Sequence, residues 1–194
     1  MEDLSDRELM VMFKHGRREA FEVLFARYRD HVWSYLRRFL GDRASAEDLT
    51  QDVFLSVIRS RSAYEPEAPF AAWLFRIAAN AARSHLRRMH GVAVQSLTDC
   101  ENDVPADTAS EPPEDVAFGH ELTSALEDAV RRLPDALREV FLLHQVHRLD
   151  DGDIAQALDV APASVRVYLH RARQTLHERL RPLLDDHREE TCDD

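Results

Sequence analysis

The side chains best placed to do chemistry in this sequence are arginines repeated at helical spacing. The run from Ser164 to Arg173 holds Arg166, Val167, His170, Arg171 and Arg173. At about 100° per residue, Val165, Leu169, Ala172 and Leu176 share one helix face. Arg166, Val167, His170 and Gln174 share the opposite face, with Arg171 on its flank. A helix whose outer face carries arginine between small and planar groups can enter a major groove, where a guanidinium reads guanine edges. The plainer meaning of such a face is a charged, solvated surface. A second stripe joins Arg76, Asn80, Arg83 and Arg87, with Trp73 beside it. Arginines at this spacing follow phosphates, and asparagine reads an exposed base edge. Trp73 either stacks on an unstacked base or packs in a core.

Other chemistries find little support. No nucleophile–base pair, phosphate loop or glycine fingerprint occurs, so an enzyme is not expected. His144 and His147 stand at i, i+3, but two histidines without a third ligand seldom hold a metal, and neither metal nor cofactor is expected. Cys100 and Cys192 lie far apart in polar stretches, which fits a reducing compartment and no disulfide framework. Glu47, Asp48, Gln51 and Asp52 form an acidic outer side on another helix. Asp48 and Asp52 are like charges at i, i+4, a pairing that a basic partner relieves. The helix dipole explains Glu47 and Asp48 equally well, and Asp52 poorly.

The elements that must position these groups are helices. The chain has 194 residues, 44% of them hydrophobic, but only 5 glycines and 8% aromatics, which argues against a sandwich or barrel. Ser5 with Glu8 forms a capping box and Leu4 with Leu9 a staple, predicting a helix from about residue 6 to 15, ended by Gly16. Phe21, Leu24, Phe25, Tyr28, Val32, Leu36 and Phe39 predict a second helix, ended by Gly41. A third is expected over about 45–59. Two prolines make 62–69 a loop, and a fourth helix is expected over about 70–89, with Phe70, Leu74, Ile77 and Ala81 inward. Residues 91–117 read as a flexible acidic linker, and 118–184 as a second helical unit. There Asp150 caps a short helix stapled by Leu149 and Ile154. Asp159-Val160-Ala161 is a three-residue turn, and Pro162 opens the arginine-bearing helix. The class is therefore all-α: a four-helix domain (1–90), a linker (91–117), a helix-turn-helix domain (118–184) and an acidic tail (185–194).

Charge follows the same division. The net charge of −11 argues against nucleic acid, but its distribution reverses that. Residues 71–97 carry four arginines and no acid, and 163–184 carry five arginines against one glutamate. Residues 98–121 hold eight acids and no base, and the last ten residues hold six acids and one arginine. Local patches, not the total, describe a binding footprint. No stretch is long and apolar enough for a membrane span, and the opening Met1-Glu2-Asp3 is not a secretory signal, so a cytoplasmic protein is expected.

Leu133-Pro134, Arg138-Glu139-Val140-Phe141-Leu142-Leu143, Ile154-Ala155, Ser164-Val165-Arg166 and Leu169-His170-Arg171-Ala172-Arg173 together resemble the fourth region of extracytoplasmic-function sigma factors, the promoter-specificity subunits of bacterial RNA polymerase. Ala20-Phe21 with Tyr28, the run Ala46 to Phe54, and Trp73-Leu74-Phe75-Arg76-Ile77-Ala78-Ala79-Asn80 are similar to that family's second region. The resemblance implies a bacterial, cytoplasmic transcription initiation factor that serves a stress- or signal-responsive regulon. It implies duplex recognition at the minus-thirty-five element by Ser164, Arg166, Val167, His170, Arg171 and Arg173. It implies capture of the melted minus-ten strand by Tyr64, Trp73, Arg76, Asn80, Arg83 and Arg87. Glu47, Asp48, Gln51 and Asp52 would meet the clamp of the largest polymerase subunit, and the flap of the second-largest is a further implied contact. Family members are commonly held by an anti-sigma factor. Asp159 replaces the family's usual turn glycine, Val167 and Tyr168 a commoner serine–arginine pair, and Ser84 a frequent aspartate. Two other functions fit parts of the pattern: a stand-alone helix-turn-helix regulator, and an adaptor working through the acidic third helix.

Overall fold

The computed structural model describes residue 1, residues 3–90 and residues 114–190, with side chains described as far as 89 and again from 122 to 183. Among these residues it is built of helices: α1 (Asp6–Lys14), α2 (Arg18–Leu40), α3 (Arg43–Ser60), a 3-10 turn (Arg61–Ala63), α4 (Phe70–His90), α5 (Glu114–Arg131), α6 (Asp135–Gln145), α7 (Asp151–Leu158) and α8 (Pro162–Glu190).

Local signals set most helix ends. Ser5 Oγ accepts from Glu8 N at 3.3 Å while Glu8 Oε2 accepts from Ser5 N at 2.8 Å, the reciprocal capping box. Gly16 and Gly41 take φ of 94° and 77°, left-handed values that stop α1 and α2. Asp150 accepts from Asp153 N at 2.8 Å and starts α7. Asp159 (φ 58°, ψ 48°) turns the chain out of it, and Pro162 is the first residue of α8.

Three boundaries differ from expectation. Helix α3 begins at Arg43, because Asp42 rather than a later residue is the cap, accepting from Ser45 N at 2.8 Å. Helix α5 begins at Glu114, so 114–117 belong to a helix and not to the linker; acidic residues suit a first turn as well as a solvated chain. Helix α8 runs on to Glu190, through Pro182 and into the acidic tail. A switch from basic to acidic residues does not end a helix when no breaker follows. Residues 91–113 of the expected linker and residues 191–194 of the tail, with Cys100 and Cys192, lie outside the described residues.

Helices α1–α4 form one unit. Arg27 Nη1 meets Asp6 Oδ1 at 2.7 Å and Tyr28 donates to the same carboxylate, tying α2 to α1. Phe21, Phe25 and Phe54 interlock α2 with α3. Helices α5–α8 form the second unit, with Val140, Leu142, Leu143, Ile154, Val165, Leu169 and Ala172 buried. The two units touch: α7 packs along α4, and α6 against α2, so the apolar core runs through both. This contact alters the expected inner face of α4. Phe75, Ala78, Ala79 and Ala82 are buried as well as Phe70 and Leu74, whereas Ile77 and Ala81 are only half-buried. A helix packed on both sides buries more than one stripe.

Candidate nucleic-acid interface

The second helix of the helix-turn-helix presents its faces as its spacing requires. Val165, Leu169, Ala172 and Leu176 are buried against the rest of the second unit. Arg166, Val167, His170, Arg171, Arg173 and Gln174 are exposed, and Ser164 is half-buried at the helix start. Val167 is 48% exposed, an apolar group with no core to serve and suited to a thymine methyl. Arg166 lies 4.0 Å from Asp151 on α7, an exposed and long pair that holds it weakly. The turn before the helix is closed by Val160 N donating to Ala155 O at 3.0 Å. That bond and the left-handed Asp159 fix the angle at which α8 leaves α7; aspartate tolerates this geometry better than most residues.

The stripe on α4 divides. Arg76, Asn80 and Arg87 are exposed along one side of the helix. Arg83 shares that side but is half-buried, and its Nε meets Glu139 Oε1 of α6 at 2.8 Å. Glu139 is almost wholly enclosed, with 7% of its side chain exposed. Burial pushes its carboxyl above the usual carboxylate range, and Arg83 pulls the other way. Sequence spacing gave no sign of this partner, which lies 56 residues away.

Tyr64 and Trp73 are placed otherwise than a strand-capturing surface requires. Tyr64 is fully buried, its hydroxyl donating to Ala68 O at 2.8 Å. Trp73 is 6% exposed and stands edge-on to Tyr64, ring centroids 5.3 Å apart. With Phe70 they form an aromatic core under the 62–69 loop. Lys14 Nζ donates to Tyr64 O at 3.0 Å and pins that loop to α1. Of the two meanings of Trp73, the structure takes the core, and Tyr64 follows it. A flanking run of large aromatics is the sequence signal that favours packing.

On α3, Asp48, Gln51 and Asp52 are exposed. Glu47 is exposed too but pairs with Arg43 at 2.9 Å. Leu55 completes the stripe: it stands seven residues from Asp48, hence on the same face, and is 45% exposed. Phe25 is also exposed and meets Phe54 edge-on at 4.8 Å. Leu55 escaped the sequence reading because leucine is expected inside. Of the i, i+3 histidine pair, His147 sits among the rings of Phe75, Tyr35 and His31. Among the described residues no three potential ligands converge.

Comparison with known proteins fits this geometry. The Sigma-70 region 2 model matches residues 24–91, and the Sigma-70 region 4 model matches 123–176. RNA polymerase sigma factor CarQ of Myxococcus xanthus is 40% identical over 172 residues, 88% of this chain and 95% of CarQ. The ECF RNA polymerase sigma-E factor of Haemophilus influenzae is 30% identical over 194 aligned positions, covering 94% of this chain and 99% of that one. The chain belongs to the extracytoplasmic-function sigma factors. The fold agrees as well. The sigma factor RpoE of Bartonella quintana, solved in complex with the anti-sigma factor NepR, superposes with a TM-score of 0.62 at 21% identity, over 83% of this chain and 96% of that one.

This sigma factor therefore directs RNA polymerase to specific promoters and initiates transcription there. It binds core polymerase and promoter DNA, and it is a transcription factor of the helix-turn-helix kind. No helix among the described residues is long and apolar enough to cross a membrane.

Proposed function

We propose that this sigma factor divides promoter recognition between two units, residues 1–90 and 114–190. The observation that carries the proposal is the split of α8 into a buried Val165–Leu169–Ala172–Leu176 seam and an exposed face of Arg166, Val167, His170, Arg171 and Arg173. That face, with Ser164 at its start, reads the minus-thirty-five duplex in the major groove. Arg76, Asn80 and Arg87 on α4, joined by Arg83 once it is released from Glu139, hold the melted minus-ten strand. Asn80 reads a base edge and the arginines follow phosphates. Tyr64 and Trp73 act beneath this surface, setting the 62–69 loop on α4 rather than stacking on a base. Asp48, Gln51 and Asp52, with Leu55, meet the basic clamp of the largest polymerase subunit, and the second unit meets the flap of the second-largest. The reaction is non-covalent throughout: strand opening is favoured by capturing the open form. The protein works in the bacterial cytoplasm on a signal-responsive regulon, and an anti-sigma factor holds it there until released, as NepR is bound to its relative.

Footprinting on a promoter recruited by the holoenzyme tests the division. Asn80→Ala is expected to keep nuclease protection at the upstream element and to lose permanganate reactivity of minus-ten thymines. Equal loss of both signals would argue against two separate readers.

A further inference from the structure

The loop between α3 and α4 is a strap held from α1 at two points. Phe13 and Lys14 are consecutive residues in the last turn of α1. The Arg61 guanidinium lies over the Phe13 ring, 5.5 Å from its centroid. Three residues on, the Tyr64 carbonyl accepts from Lys14 Nζ at 3.0 Å. Tyr64 ends the 3-10 turn that continues α3, where carbonyls lack helical partners and a cation is favoured. The Tyr64 hydroxyl donates to Ala68 O at 2.8 Å, Ala68 N to Glu65 O at 3.0 Å, and Trp73 N to Pro69 O at 3.2 Å. These bonds close the strap and lead directly into α4. Helix α1 is itself fixed, by its capping box, by the Asp6–Arg27 pair and by the buried Leu9 and Met10.

The charge of the strap makes its anchorage matter. Glu65 and Glu67 are exposed on it, and residues 62–69 contain no cation. It precedes the helix whose Arg76, Asn80 and Arg87 face outward. A melted strand held along that helix repels nearby carboxylates through its phosphates. A loose loop moves away from such a strand, and an anchored one keeps its place. The anchor is the chain's one lysine. It stands ahead of residues 24–91, which the region 2 model matches, so the hold comes from outside that region.

We infer that Lys14 is a positioning residue for minus-ten opening: its ammonium, bonded to the Tyr64 carbonyl, keeps the acidic 62–69 loop in place against the repulsion of the melted strand. The inference rests on the assignment of the α4 stripe to that strand. Lys14 acts through the loop and not on DNA.

Open-complex formation by the holoenzyme, resolved into promoter binding and the opening step, tests the inference. Lys14→Met keeps the apolar stem and removes the donor. It is expected to slow opening about three- to tenfold, the range that one part-exposed hydrogen bond supports. Affinity for core polymerase and nuclease protection at the upstream element are expected to stay unchanged. The deficit is expected to shrink as salt rises, because salt screens the repulsion that the anchor resists. A residue needed only for folding has no such salt dependence. Lys14→Arg keeps a cationic donor and is expected to open promoters as the wild type does. Where Lys14→Met loses helix content, acetylation of the folded wild type with acetic anhydride, before assembly with core polymerase, supplies the test. It removes the same charge and is expected to slow opening by the wild type more than by equally treated Lys14→Arg. Normal opening by Lys14→Met or by the acetylated wild type, a deficit that salt leaves unchanged, or one that arginine does not rescue would overturn the inference. Asn80→Ala separates the two levels. If it alone is defective, only the role of Lys14 fails; if it also opens normally, the assignment of the stripe fails.

Discussion

His147 makes the contact between the two units measurable through pH. Burial, then the neighbouring charges of His31 and Arg38, lowers its pKa from 6.5 to about 3. The groups facing it from α2 are His31, Tyr35 and Arg38, with Arg27 and Tyr28 along the same cavity; from α4 the cavity is lined by the uncharged Phe75 and Ala71. The unfolded chain binds a proton at this ring near pH 6.5, and the folded chain does not. Stability is therefore fully present above pH 6.5 and is lost as pH falls below it, down towards pH 3. Between pH 7.5 and 5.5 the unfolding equilibrium shifts about tenfold from this residue alone, or about 1.4 kcal/mol. Glu139 acts in the opposite sense, because its raised pKa lets the folded chain hold a proton that the unfolded chain gives up. The variant His147→Phe keeps a ring among Phe75 and Tyr35 and leaves Glu139 unchanged, so the difference between the two chains isolates the imidazole. Urea unfolding at both pH values, followed by circular dichroism, is the assay. The wild type is expected to lose about 1.4 kcal/mol more than His147→Phe on acidification. Equal losses would place His147 in water and refute the burial on which this reasoning stands.

Three further outcomes follow from the interface residues. Arg166→Ala is expected to cost about 1–3 kcal/mol of promoter affinity and to relax one base pair of the upstream element, read by holoenzyme binding to a set of single-substitution duplexes. Asp52→Arg is expected to abolish binding to core polymerase with its helix content intact, and Leu55→Asp to weaken binding without adding a cation; size-exclusion titration against core enzyme reads both. Asp159→Ala puts a residue poorly suited to positive φ into the turn between α7 and α8, and is expected to cost about 1 kcal/mol in thermal unfolding.

What the sequence reveals here is what is encoded locally. Ser5 with Glu8, Asp150, Asp159 and Pro162 act within four residues of their targets, so their types and spacing suffice to place the helix ends they control. The two faces of α8 are legible for the same reason: a periodic apolar seam defines its own opposite. Asp42 was missed because a cap two residues earlier leaves the apolar pattern unchanged. The helical continuation to Glu190 was missed because charge, not a breaker, marked the expected end. Contacts between units leave no periodic trace. Arg83 sits on the same stripe as Asn80, yet its partner is Glu139 on a helix of the other unit. Tyr64 and Trp73 were drawn outward by a resemblance, but Phe70 and the Lys14 bond to the loop hold them inside. The same long-range packing makes His147 an unusual imidazole, which nothing in its neighbouring residues announces.

Run-off transcription by core polymerase, with and without this protein, on promoters drawn from upstream of its own gene tests the central assignment most directly. A discrete transcript that requires the protein, and is lost with Asn80→Ala, is the expected result. No transcript, alongside tight duplex binding in the absence of polymerase, would contradict it.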